Sequence, residues 1–305
     1  MRKIMLLCAS LFAVSASPVM AQNVLWVANN GSDANTCGAT APCATFQGAI
    51  NKGNVVQINC LTSGTYGAVT ITASLTIDCG TGNIGDVNVF GGNAITISTG
   101  SAATIVLRHL NVNGLGNSGS IIGIDADNSF FGGTLIVEDC MIHGFNGDGI
   151  AFKPTSSRGL LQVSNSQIFA TGDAIIVSPP PGQIASVTLN RVELVANSGN
   201  GLVLSNSGVV AGTMRDSVAA GNQGEGVLAV AGQVFFTIEE SSIVDNLGDG
   251  IQTASLGSAI KVGASTIGGN GRGVNALAGS IVSFGDNHIS DNGADGTFTS
   301  TTALK

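Results

Sequence analysis

The chain has 305 residues, of which 10% are charged and 44 are glycine, and it carries 11 Lys or Arg against 19 Asp or Glu. This acidic balance excludes nucleic acid and anionic lipid as electrostatically favoured partners. A single Trp and a single Tyr also argue against a sugar-binding cleft built from stacked aromatic rings.

Residues 1–21 read as a secretory signal: Arg2 and Lys3, then an apolar stretch from Ile4 to Val14 too short to span a bilayer, then Val19-Met20-Ala21 as a cleavage site. Gln22 then opens a mature chain with no transmembrane segment, secreted or periplasmic. With Arg2 and Lys3 removed, nine cations face 19 acids, a net charge near −10. Residues 22–53 hold an apolar strand at Leu25-Trp26-Val27, a Gly31-Ser32-Asp33-Ala34-Asn35 turn and a short helix near 43–52. Phe46, Ala49 and Ile50 share one face of that helix, and Gly53 can end it.

Residues 54–140 carry irregularly spaced strands, including Val55 to Asn59, Leu75 to Asp78, Ile95 to Ile97 and Ala103 to Leu107. Two loops follow, Lys153 to Gly159 and Ser178 to Gly182, about 26 residues apart, so they project from one side of consecutive repeats. From there the chain repeats an Asn-x-Gly-x-Gly turn flanked by short β-branched runs. Asn197, Asn222, Asn246, Asn270 and Asn292 are spaced by 25, 24, 24 and 22 residues, and drifted copies lie at Ile142 to Ile150 and Ile168 to Ile175. No unit has room for a helix, so the period specifies a solenoid of stacked strands. The fold class is all-β: a single right-handed parallel β-helix over 54–296, with a short N-terminal capping helix and a frayed tail at 297–305. Two inward columns follow from the register. One is Ile142, Ile168, Leu194, Ala219, Ile243, Ile267 and Ile289; the other is Ile150, Ile175, Leu202, Val227, Ile251 and Val274. The five asparagines form an internal ladder, and the glycines of their turns supply positive φ.

The aromatic-Val strand, Gly31-Ser32-Asp33-x-Asn35 and Pro42-x-x-Thr45-Phe46-x-x-Ala49-Ile50 together resemble the opening of right-handed parallel β-helix proteins of the pectin-lyase-like superfamily. That resemblance implies that the helix covers the open end of the cylinder, as an exposed sheet edge requires. In an oxidising compartment Cys37 and Cys43, flanking one small loop, form one disulfide. Cys60 and Cys79, ending strands on neighbouring rungs, form another, and Cys140 stays free and buried.

Catalytic sets known from such proteins are absent: Asn-Thr-Asp, paired Asp-Asp, Gly-His-Gly, Arg-Ile-Lys and Asp-Pro-His do not occur. Single-Asp turns lack the second carboxylate that inverting hydrolysis needs. Two columns remain. Asp148, Asp173, Asn200, Glu225, Asp249 and Asp295, interrupted by Arg272, could offer oxygen ligands to calcium, with Asp148 and Asp249 the candidates; the same residues also suit turns, and no cofactor is expected. Arg191, Arg215 and Glu239, near Glu193, Asp216 and Glu240, are the residues to carry any catalysis, though such a column is more often a surface ion-pair ladder. His109 and His288 stand alone. The expected function is that of a non-catalytic structural module or one that binds a glycan or another surface component; the alternative is a divergent lyase, hydrolase or epimerase acting on uronate-type glycans.

Overall fold

A computed structural model of the chain describes residues 23–302, apart from 81, 127–129, 157, 206 and 207. The signal segment 1–21 and Gln22 lie outside the described residues. The described chain winds into one parallel β-solenoid of about nine turns. Each full rung contributes strands to three sheets. In the rung that begins at Ile184, the strand Ile184–Val195 serves the first two sheets and Leu202–Leu204 the third. The first sheet stacks Val55–Cys60, Leu75–Asp78, Ala103–Arg108 and Gly133–Glu138 in parallel register and continues into the later rungs. Both expected inward columns are present. Ile142 pairs successively through Ile168, Leu194, Ala219, Ile243 and Ile267 to Ile289, and Ile150 through Ile175, Leu202, Val227 and Ile251 to Val274. All but Ile289 are buried, and together they form the apolar core of the cylinder.

Single residues in left-handed conformation make the corners. Between the first and second sheets these are His109, Asp139, Asn165, Arg191, Asp216, Glu240 and Ala264, with φ between 47° and 55°. One such residue between two extended segments turns the chain sharply without breaking either strand. Asn, Asp and His accept this conformation most readily. Just after each corner lies a column absent from the sequence-based expectation. The hydroxyls of Ser166, Ser217, Ser241 and Ser265 each donate to the carbonyl two residues back, at 2.6–2.8 Å, and accept an N–H from the preceding rung. Cys140 occupies the same place, and its thiol donates to the Glu138 carbonyl at 3.2 Å.

The Asn ladder is complete. Asn197, Asn222, Asn246 and Asn270 each donate from Nδ2 to Oδ1 of the next asparagine at 2.8–3.0 Å. Each also donates its backbone N–H to that same Oδ1 at 3.0–3.1 Å. Thr171 heads the ladder by donating its hydroxyl to Asn197 Oδ1 at 2.8 Å. The turn glycines serve a different purpose from the one expected. Gly201, Gly226, Gly250 and Gly273 are not at positive φ. A Cβ on any of them would lie 2.6–2.7 Å from a carbonyl oxygen of the next rung and crowd the ladder amide. Their constraint is close stacking, not backbone freedom.

The N-terminal helix is Phe46–Ile50, with Phe46 and Ala49 fully buried over the end of the cylinder. Thr45 caps it by accepting from Gly48 N–H at 2.8 Å. Asp33 holds the entry, accepting from Ala44 and Thr45 N–H and from the Thr45 hydroxyl at 2.8–3.0 Å. Disulfides join Cys37 to Cys43 and Cys60 to Cys79, with Cα atoms 4.6 and 4.4 Å apart, while Cys140 is free and buried. At the other end the chain departs from the expected fray. Ser300–Thr301 pairs with Val282 and Ser283, because a strand edge on the last rung offers backbone partners to the chain that follows it. Residues 303–305 of that tail lie outside the described residues. Among the described residues no helix is long and apolar enough to cross a membrane.

Candidate functional site

The second sheet carries a groove of about 980 Å³ across its early rungs. Its floor is an outward column of the sheet, Asp86, Asn111, Met141, Gln167 and Glu193, one residue per rung. One wall is the left-handed corner column His109, Asp139, Asn165 and Arg191; Ser63, Asn83 and Ile84 close the N-terminal end. Ile84 and Met141 are exposed and give the groove apolar surface between polar groups.

These polar groups are organised in pairs across rungs. Asn111 donates from Nδ2 to Asp86 Oδ1 at 2.8 Å, and its Oδ1 faces His143 Nε2 at 3.0 Å. The His143 ring stacks on Phe169, with centroids 4.7 Å apart, and burial holds its pKa below the usual histidine value. Gln167 donates to Glu193 at 2.8 Å, and Arg191 Nε to Asn165 Oδ1 at 2.6 Å. At the N-terminal end His109 Nδ1 lies 2.8 Å from Asp78 Oδ1 and His109 Nε2 lies 3.8 Å from Asp139 Oδ2. Three carboxylates, on Asp86, Asp139 and Glu193, thus line the groove with one guanidinium.

The sequence-based candidates are distributed differently. Arg191 belongs to the groove wall, one column away from Arg215, whose neighbour in register on the preceding rung is Asn190. The reason is rung length: this rung spans 25 residues at the corner, from Arg191 to Asp216, so a step of 24 from Arg215 to Arg191 misses the register. Glu239 is in register with Arg215, yet Arg215 bonds the corner residue Glu240 instead, at 2.7 and 3.2 Å. Glu240 holds the guanidinium pKa up, and Arg215 holds the Glu240 carboxyl below the usual range. Asp249 is nearly buried, accepting from Gln252 at 2.5 Å and Asn275 at 2.6 Å, with Arg272 Nε 3.9 Å away. Asp148 stands four rungs earlier in the same turn column, and between them Asp173 accepts from Asn200 N–H and Nδ2 at 2.7 and 2.9 Å. Among the described residues no group of three or more His, Cys, Asp or Glu is arranged to hold a metal ion.

Sequence reasoning missed Asp86, Asn111 and Gln167 as groove residues and Asp78 and His143 as the partners of His109 and Asn111, and took His109 as isolated. A signal was present: stepping back from Asp216 through the polar corner residues leads to Arg191, Asn165, Asp139 and His109. The 30-residue rung between His109 and Asp139 hides it.

A family model described as a right-handed β-helix region matches residues 181–303. A search of curated proteins found no match. Among solved structures the chain is similar to pectate lyase Pel9A, with 16% identity and a TM-score of 0.67 over 90% of this chain and 78% of that one. It is also similar to XylC, solved with xylose, with 9% identity and a TM-score of 0.53 over 83% and 70% of the two chains. At these identities the likeness is one of fold. Winding, register and repeat define a right-handed parallel β-helix.

Proposed function

We propose that the protein binds an extended, uncharged or cationic glycan along this groove, in a secreted or periplasmic setting, and that it does not cleave uronates. The observation that carries the reading is the groove: about 980 Å³, one floor residue and one wall residue per rung, polar groups around apolar Ile84 and Met141. Rungs repeat about every 4.8 Å, close to the length of one pyranose in an extended chain, so successive sugars would meet successive rungs. Ile84 and Met141 offer surface to the C–H faces of sugar rings, in place of the aromatic platforms this sequence lacks. Asn111, Gln167, Asp86 and Glu193 offer partners to hydroxyls. The similarity of fold to a pectate lyase and to a protein solved with xylose supports a sugar polymer as ligand and nothing narrower. The two disulfides support an oxidising compartment.

Uronate lysis or epimerisation needs a base together with a positive centre for the enolate-like intermediate. Here three carboxylates surround one guanidinium that is already bonded to Asn165, so a polyuronate is repelled. The test is calorimetric titration with xylan, chitosan and polygalacturonate oligomers, with and without calcium. Binding to a neutral or cationic oligomer is expected, weakened at least tenfold by Glu193→Ala and unaffected by Arg215→Ala. Binding confined to polygalacturonate, or release of an unsaturated product absorbing in the ultraviolet, refutes the proposal. A calcium requirement would bring Asp148 and Asp249 back as ligands.

A further inference from the structure

Resting on the glycan reading of the groove, we infer that the Asp78–His109 pair makes its N-terminal end an ester-hydrolysing site, which removes acyl groups from a bound O-acylated glycan. Asp78 ends the strand Leu75–Asp78, and its Oδ1 accepts the Gly80 N–H at 2.7 Å while facing His109 Nδ1 at 2.8 Å. That contact places the proton of a neutral imidazole on Nδ1 and leaves Nε2 as a base. His109 is a corner residue whose side chain is 22% exposed and lines the groove. Its Nε2 lies 3.8 Å from Asp139 Oδ2 on the next rung. Two acceptors at that separation do not bond each other, but a single water seated between them and the groove would donate to both. Across the N-terminal end Ser63 Oγ accepts the Ile84 N–H at 3.1 Å, which leaves its own O–H to donate to a developing oxyanion.

The chemistry balances without a cofactor. Nε2 takes a proton from the water as its oxygen bonds to the acyl carbon, and the carbonyl electron pair moves onto the carbonyl oxygen. Collapse of that intermediate breaks the bond from the acyl carbon to the sugar oxygen, which receives the proton back from His109. The products are a carboxylic acid and a free sugar hydroxyl. Glycoside hydrolysis is the poorer match, because it needs two carboxylates flanking the scissile bond, whereas Asp78 and Asp139 both lie against one imidazole. His109 is the catalytic residue in this scheme, and Asp78 is a positioning residue.

The experiment uses the chain from Gln22 onward with p-nitrophenyl acetate and acetylated xylan, measuring p-nitrophenolate and acetate. Release of both is expected, with kcat/KM lowered about 10²–10⁴-fold in His109→Gln. Asp78→Asn lowers kcat at unchanged KM, Asp78→Glu restores part of it, and the exposed Leu256→Ala changes neither. Calorimetry of the same variants with deacetylated xylan reads groove occupancy and folding separately from catalysis. Glycan binding without acetate release overturns the ester inference and leaves the glycan reading standing. Loss of both binding and release overturns both. Release that survives His109→Gln also overturns the inference.

Discussion

Asn246→Ala tests the internal ladder at an interior position. Asn246 donates from Nδ2 to Asn270 Oδ1 at 2.8 Å and to the Ala219 carbonyl at 3.1 Å. Its Oδ1 accepts from Asn222 Nδ2 at 2.8 Å and from the Asn222 backbone N–H at 3.1 Å. Truncation removes all four bonds and leaves the Asn222 N–H without its partner in a residue that is fully buried. A buried orphan costs about 1–3 kcal/mol, and each lost neutral bond about 1 kcal/mol net, so the sum is about 3–5 kcal/mol once the Asn222 amide keeps its bond to the Leu194 carbonyl. Asn292 also accepts from the Asn270 N–H and Nδ2, at 3.0 Å each, but it is half-buried at the end of the column and donates to the exposed Asp295 carboxylate, so water replaces part of what is lost and Asn292→Ala should cost less, about 1–3 kcal/mol. Urea unfolding followed by far-ultraviolet circular dichroism gives both values. A loss below 1 kcal/mol for Asn246→Ala, or equal losses at both positions, refutes the ladder as a source of stability.

Two further outcomes are expected. Because Arg215 holds the Glu240 carboxyl below the usual range, the pair contributes in full above that range and its contribution fades as pH falls through the lowered value. Both side chains are about half exposed, so Arg215→Met should raise the Glu240 midpoint in a carbon-detected NMR titration and lower the neutral-pH urea midpoint only slightly; an unchanged Glu240 midpoint contradicts the pairing. Burial pushes the Cys140 thiol up to about 12, so in the chain from Gln22 onward it should ignore a disulfide thiol reagent at pH 8 when native and give one equivalent in denaturant. Rapid native labelling, or more than one equivalent, would show that the thiol or the two disulfides are misassigned.

The sequence by itself determined the repeat, and through it the register. Asn197 to Asn292 and the two aliphatic columns recur at nearly constant spacing because each rung must present the same inward shape to its neighbours. The cap helix was legible for a related reason: Phe46, Ala49 and Ile50 share one apolar face and Gly53 can end the helix, which is local chemistry, while its Thr45 N-cap came only with the structure. Cysteine pairing followed once strands ending at Cys60 and Cys79 were put on adjacent rungs. The groove was not legible, because its members are brought together by rungs of 25, 30, 26 and 26 residues, and one irregular rung shifts every candidate upstream of it. Arg191 and Arg215 share a spacing but not a column, and Arg215 chooses Glu240 over its register partner because the corner aims that carboxylate at the guanidinium. His109 looked isolated because its partners, Asp78 and Asp139, are 31 and 30 residues away along the chain. Only stacking puts them within reach: outward side chains carry no core constraint, so nothing periodic in the sequence records which of them meet.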